Sequence, residues 1–164
     1  MPHVVFVLGL CGSGKSKRAN ELASQGFMSF DEKSIGRSVH PNLQKWPNSA
    51  YPEFVQAVVD GKNCVVTEVA FYDRALRQLV TSELTSKRPD VVIEWECFAT
   101  TDLENANYNC EHDPERTVDG IRNNLEQNQR IVQLLQDGTY ELPAGHKRLK
   151  TVRRTEGVDS YKCK

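Results

Sequence analysis

Val4-Val5-Phe6-Val7-Leu8-Gly9-Leu10-Cys11-Gly12-Ser13-Gly14-Lys15-Ser16 is the stretch on which the reading of this chain turns. Its first five residues are apolar and valine-rich. That composition predicts a short strand buried on both faces, as in a parallel sheet. Three glycines then break any regular pattern. From Lys15 to Ser24 the apolar residues Ala19, Leu22 and Ala23 share one side, which predicts a helix that Gly26 ends in a left-handed cap. A strand, a glycine-rich turn and a helix in immediate succession form the opening unit of an α/β domain.

Gly9 to Ser16 fit G-x-x-x-x-G-K-[ST] in full, in the strand–turn–helix setting that gives this pattern its physical meaning. Glycine lets the backbone approach phosphate oxygens with no Cβ in the way. Successive N–H groups converge on one concavity that holds an anion, and the helix beginning near Gly14 adds its positive end. Lys15 brings a mobile charge to the β- and γ-phosphates, and Ser16 brings a hydroxyl to Mg²⁺. The expected site for ATP with Mg²⁺ comprises Gly9, Cys11, Gly12, Ser13, Gly14, Lys15, Ser16 and Lys17. A plain glycine turn would need neither the lysine nor the serine. Cys11 is either a thiol slightly acidified by the helix end or an incidental small residue.

Outward from this unit, strands and helices alternate. A short second strand over Gly26 to Phe30 closes at Asp31. Lys33 to Ser49 carries Gly36, Pro41 and Pro47 without periodicity and reads as a long surface loop. Pro52 suits the first turn of a helix with Phe54, Val55, Val58 and Val59 on one side, ended by Gly61. Cys64 to Val69 is a third strand. Asp73 caps a helix whose apolar residues are Leu76, Leu79, Val80 and Leu84, stopped at Pro89. Val91 to Phe98 is a fourth strand. Thr101 and Glu104 match a capping box that opens a short helix, Asn105 to Arg116 reads as polar and irregular, and Val118, Ile121, Leu125, Val132 and Leu135 mark a long helix ended by Gly138. A last strand is expected near Arg148 to Arg153. The alternation predicts a mainly parallel sheet.

With this layout the chain resembles the small P-loop kinases. These form the nucleoside-monophosphate-kinase-like group that includes shikimate kinases, adenylylsulfate-type kinases and zeta-toxin-like or polynucleotide-kinase-like phosphotransferases. The resemblance spans nearly the whole chain in layout. It is specific at Gly9 to Ser16, with support at Asp31 and from Cys97 to Arg122, where Cys97-Phe98, Asn105, Asn107 and Asn109 resemble zeta-toxin-like sequences. It implies a three-layer P-loop NTPase fold with about five strands, formed by residues 1–164 as one domain. It also implies a lid over residues 99–122, whose Arg116 and Arg122 reach the transferring phosphoryl group on closure. Asp31 would face the acceptor hydroxyl as base or orienter, and Arg74 would clamp the acceptor. Lys15, Asp31, Arg116 and Arg122 are thus the expected catalytic groups.

Glu68 departs from the pattern, because the corresponding strand in P-loop proteins usually ends in aspartate. It either reaches the hydration shell of Mg²⁺ beside Ser16 or makes a strand-end salt bridge. Arg77 reads as a solvated helix arginine, and Arg122 as pairing with Glu126 if it is not catalytic. Composition narrows the rest. The 164 residues are 38% hydrophobic and carry a net charge of −1, which suits one packed domain and does not announce a nucleic-acid binder. The basic run Lys147, Arg148, Lys150, Arg153 and Arg154 keeps a nucleic-acid end open as a partner but reads more simply as a decorated edge strand. Five cysteines without a CxxC pair imply free thiols in a reducing cytoplasm. No apolar run approaches the length of a bilayer span. The expected function is an ATP-dependent phosphotransferase acting on a hydroxyl or phosphate of a small molecule or nucleotide. Its rivals are a nucleotide-binding switch or slow ATPase, and a polynucleotide 5′-hydroxyl kinase.

Overall fold

The computed structural model describes residues 1–31 and 51–154. Five strands, β1 (His3–Leu8), β2 (Met28–Asp31), β3 (Cys64–Thr67), β4 (Val92–Phe98) and β5 (Lys147–Leu149), form one sheet in the order β2-β3-β1-β4-β5. All four pairings are parallel. Around it lie α1 (Lys15–Ser24), α2 (Tyr51–Val59), α3 (Arg74–Lys87), α4 (Leu103–Glu111) and α5 (Val118–Gln136).

Central β1 shows why its five apolar residues are needed. Val4, Phe6 and Leu8 face a core shared with Phe54, Val58, Leu76, Val80, Leu84 and Ile131. Val5 and Val7 face the opposite core, with Ala19 and Leu22 of α1. This is the period-two alternation of a strand sandwiched between helical layers. Each such side chain contributes about 1.5–3 kcal/mol by leaving water. Phe6 stacks on Trp95 at 4.3 Å and meets Phe71 edge-on at 4.8 Å. Arg18 clips α1 to β4 by donating two bonds to the buried Glu96, Nε at 2.7 Å and Nη2 at 2.8 Å.

Several local expectations give way to tertiary packing. Residues 105–111, read as irregular, are helical in α4, because Leu103, Ala106 and Cys110 line one inward side. The Thr101 capping box does not form, as α4 starts at Leu103 without a side-chain cap. Asp102 instead accepts from Thr151 N at 3.0 Å. On α3 the exposed Leu79 leaves the apolar face, and Arg77, read as solvated, is buried. Val118, placed on the apolar side of α5, is exposed. The last strand is Lys147–Leu149, shorter and earlier than expected. Asp73 caps α3 as expected, accepting from Ala75 N at 2.8 Å and Leu76 N at 3.3 Å. The loop expected over Lys33 to Ser49 lies outside the described residues.

Candidate nucleotide site

The glycine-rich turn joins β1 to α1. Gly12 and Gly14 have φ of 82° and 110°, left-handed values that side chains rarely adopt. Close packing constrains the loop as well. A Cβ on Gly12 would lie 2.2 Å from Ala106 O and 2.9 Å from Cys110 Sγ, so α4 sits directly on the loop. A Cβ on Gly9 would lie 2.4 Å from Ser13 Oγ. Ser13 N closes the turn on Leu10 O at 3.1 Å. Lys15 Nζ donates to Gly9 O at 2.8 Å, curling back over the loop it follows. Ser16 is half-buried in the first turn of α1, and Lys17 is exposed. Cys64, Cys97 and Cys110 are free thiols, and all three are buried.

Sequence reasoning missed the side chains behind the loop. Asn128 of α5 is fully buried; its Oδ1 accepts from Cys11 N at 2.7 Å and its Nδ2 donates to Cys11 O at 2.9 Å. Asn107 Oδ1 accepts a further bond from Asn128 Nδ2 at 3.1 Å. Asn109 Nδ2 donates to Gly12 O at 2.9 Å and Val152 O at 3.0 Å. Asn109 Oδ1 accepts from Arg154 N at 2.6 Å. A signal for Asn128 was present. It falls between Leu125 and Val132 on the apolar side of α5, where a polar residue needs a buried partner.

The arginines expected in the lid separate. Arg116 follows α4, and its Nε donates to Oδ2 of the buried Asp113 at 3.1 Å. Arg154 Nη1 approaches the same carboxylate at 3.9 Å. The Cys110 thiol, beside Gly12, is pushed up to about 11 by burial, while the positive charges of Arg116 and Lys15 both pull it down. Arg122 lies on the outer side of α5, exposed and 3.7 Å from Asp119 rather than paired with Glu126. The first half of the expected lid, α4, is packed on the phosphate loop, and Arg116 sits in the connection from α4 to α5.

The β2–β3 edge carries the remaining candidates. Asp31 ends β2 in register with Thr67, at the same strand ends from which the loop departs. Glu68 is buried, and its Oε1 accepts from Ala70 N at 3.0 Å to cap the turn Val69–Tyr72. Arg74 is exposed and lies 3.7 Å from Glu141. Buried Arg77 donates Nη1 to Phe71 O, Tyr72 O and Glu141 O at 2.8–3.0 Å and Nη2 to Glu141 Oε1 at 3.1 Å, an anchor rather than a substrate clamp. Ser16, Asp31, Thr67 and Glu68 offer only oxygen donors, which suits the hard Mg²⁺ ion. Among the described residues no cluster of three or more His, Cys, Asp or Glu could hold a metal, so Mg²⁺ would rely on these few oxygens and on phosphate.

Solved structures share this architecture. A gluconokinase from Sinorhizobium meliloti aligns with a TM-score of 0.54 at 15% identity, over 93% of this chain and 85% of that one. The chain has the fold of the small P-loop kinases. A sugar kinase from a Janibacter species aligns at 0.52 and 16% identity, over 92% and 84% of the two chains. A fungal RNA kinase aligns at 0.51 and 12% identity, over 97% and 80%. No protein-family model matches the chain, and no curated protein matches it in sequence. Among the described residues no helix is long and apolar enough to cross a membrane.

Proposed function

We propose that the protein is an ATP·Mg²⁺-dependent phosphotransferase that moves the γ-phosphate to a hydroxyl or phosphate of a small molecule or nucleotide. The observation that carries this reading is the glycine loop, with two left-handed glycines, Lys15 folded over it and α1 opening behind it. The fold shared with proteins named as gluconokinase, sugar kinase and RNA kinase supports it. In this reading Gly9, Cys11, Gly12, Ser13, Gly14, Lys15, Ser16 and Lys17 bind the phosphates. Ser16 and Glu68 serve Mg²⁺, which would neutralise phosphate charge when bound. Asp31 orients or deprotonates the acceptor and Arg74 holds it. Arg116 balances the charge that develops on the transferring group. Arg122 contributes only if the α4–α5 connection rearranges. The free Cys64, Cys97 and Cys110 support a reducing cytoplasm as the protein's place of work.

The test is transfer of label from γ-labelled ATP to pooled acceptors: nucleosides, nucleoside monophosphates, sugars, hydroxy acids and 5′-hydroxyl oligonucleotides. Label reaching one pool, and lost in Lys15→Ala, supports the reading and identifies the acceptor. ATP binding without transfer or acceptor-stimulated turnover supports a nucleotide switch or slow ATPase. A second reading, polynucleotide 5′-hydroxyl kinase, draws on Arg153, whose guanidinium lies 4.3 Å over the Tyr108 ring, and on exposed Lys147, Arg148 and Lys150. It requires label in the oligonucleotide pool and affinity that falls steeply with salt.

A further inference from the structure

The geometry points to Asn128 as a positioning residue for nucleotide binding: its buried amide grips Cys11 at both N–H and C=O and so presets the phosphate loop. This rests on the reading of that loop as a phosphate site. Asn128 is fully buried, and its two bonds to Cys11, at 2.7 and 2.9 Å, form a side-chain copy of a strand pairing. Such a two-point grip fixes direction as well as distance. A trans peptide is planar, with its C=O and N–H pointing opposite ways. Drawing Cys11 O toward α5 therefore turns the Gly12 N–H away from α5. Asn109 repeats the device one residue on. It holds Gly12 O at 2.9 Å, which leaves Ser13 N aimed at Leu10 O at 3.1 Å. The loop is thereby held at Cys11 N–H and at the carbonyls of Cys11 and Gly12, and the direction of the Gly12 and Ser13 N–H groups is settled before any anion arrives. A glycine-rich segment gains more than others from such a hold, because its free backbone has the most conformational freedom to lose on binding.

Asn107 sets the amide's orientation. Its Oδ1 accepts from Asn128 Nδ2 at 3.1 Å, which leaves Asn128 Oδ1 facing Cys11 N. An asparagine presents one acceptor and two donors in a single plane, and all three functions are used here. The three asparagines come from α4 and α5, so the helices that flank Arg116 also hold the loop.

The test compares ADP and AMP affinities by calorimetry for wild type, Asn128→Leu and Asn107→Ala, with far-ultraviolet circular dichroism to establish folding. Leucine keeps the branched shape and adds no charge. Folded N128L is expected to bind ADP about tenfold more weakly, with AMP affinity changed much less. The AMP-to-ADP dissociation-constant ratio therefore collapses. A role confined to stability would lower the melting temperature and leave that ratio at its wild-type value in the folded protein, which overturns the proposal. N107A, which removes only the outer support, is expected to weaken ADP binding about two- to fivefold at near wild-type stability. Should N128L fail to fold, N107A decides, and wild-type ADP affinity in N107A overturns the proposal. Wild-type protein that binds neither nucleotide overturns the phosphate-site reading itself, a separate result.

Discussion

The phosphate loop and the β2–β3 edge lie at the same ends of one parallel sheet, yet they are built differently. The loop has a polar backing of buried side chains: Asn128, Asn109 and Ser13 are all at most 2% exposed. Cys11 N, Cys11 O and Gly12 O are each bonded by an asparagine side chain from a distant helix. At the β2–β3 edge the hydrogen bonds of the polar side chains hold the scaffold itself. Glu68 caps the turn after β3, Asp73 caps α3, and Arg77 holds the carbonyls of Phe71, Tyr72 and Glu141. Arg74, the outward candidate there, is exposed. A site for a phosphate chain must be rigid before its ligand arrives, since its contacts are backbone N–H groups whose directions cannot be adjusted singly. An acceptor site relies on side chains, which can adapt.

Variants can break or sharpen this contrast. The largest effect belongs to Lys15→Ala, expected to lower transfer by about a thousandfold with the fold intact. Retention of turnover would remove the loop from the chemistry. Arg77→Ala should come next but on a different axis. It removes the buried guanidinium that Phe71 O, Tyr72 O and Glu141 O share and should cost about 3 kcal/mol in urea unfolding. Nucleotide affinity of the folded protein should hardly change, and a parallel loss of affinity would show that the two regions are not separate.

Arg116→Ala is expected to lower kcat by about tenfold to a hundredfold, and Arg122→Ala by less than about twofold, because an exposed pair such as Arg122–Asp119 contributes little. Equal effects would mean that both arginines reach the phosphates. Asp31→Asn should lower kcat by about tenfold while leaving ATP affinity close to wild type, whereas Arg74→Ala should raise the acceptor KM. Unchanged turnover would exclude Asp31. The smallest effect concerns the thiols. Burial pushes Cys64 and Cys97 up to about 12 and Cys110 up to about 11, so at pH 8 all three stay protonated. Their thiolate forms increase only as pH rises toward those values, and mass spectrometry of native protein treated with iodoacetamide should find them unmodified.

The fold was legible where local pattern and tertiary environment agree. Val4 to Leu8 is apolar at every position, and every position is buried. The glycines of the loop declare a backbone that only glycine adopts easily. Reading failed where a polar side chain replaces an apolar one inside the packing. Arg77 and Leu79 exchange their expected places on α3 because the guanidinium finds backbone carbonyls within the protein. Asn105 to Glu111 looks irregular because asparagine favours turns when judged alone. It is helical because Ala106 and Cys110 pack on the loop and Asn109 finds Gly12 O.

What the sequence by itself determined is the parallel α/β layout and the strand, glycine turn and helix of its opening unit, since both rest on short-range pattern: strand periodicity, glycine freedom and helical spacing of apolar residues. Only the tertiary structure decided which polar residues hold that loop. Asn128 lies 117 positions from Cys11 and Asn109 lies 97 from Gly12, so local pattern names neither residue's partner. It also separated Arg116, paired with the buried Asp113 just after α4, from Arg122, which faces outward on the next helix. Two arginines six residues apart read alike in sequence, and the direction in which each side chain leaves the packed helices sets them apart.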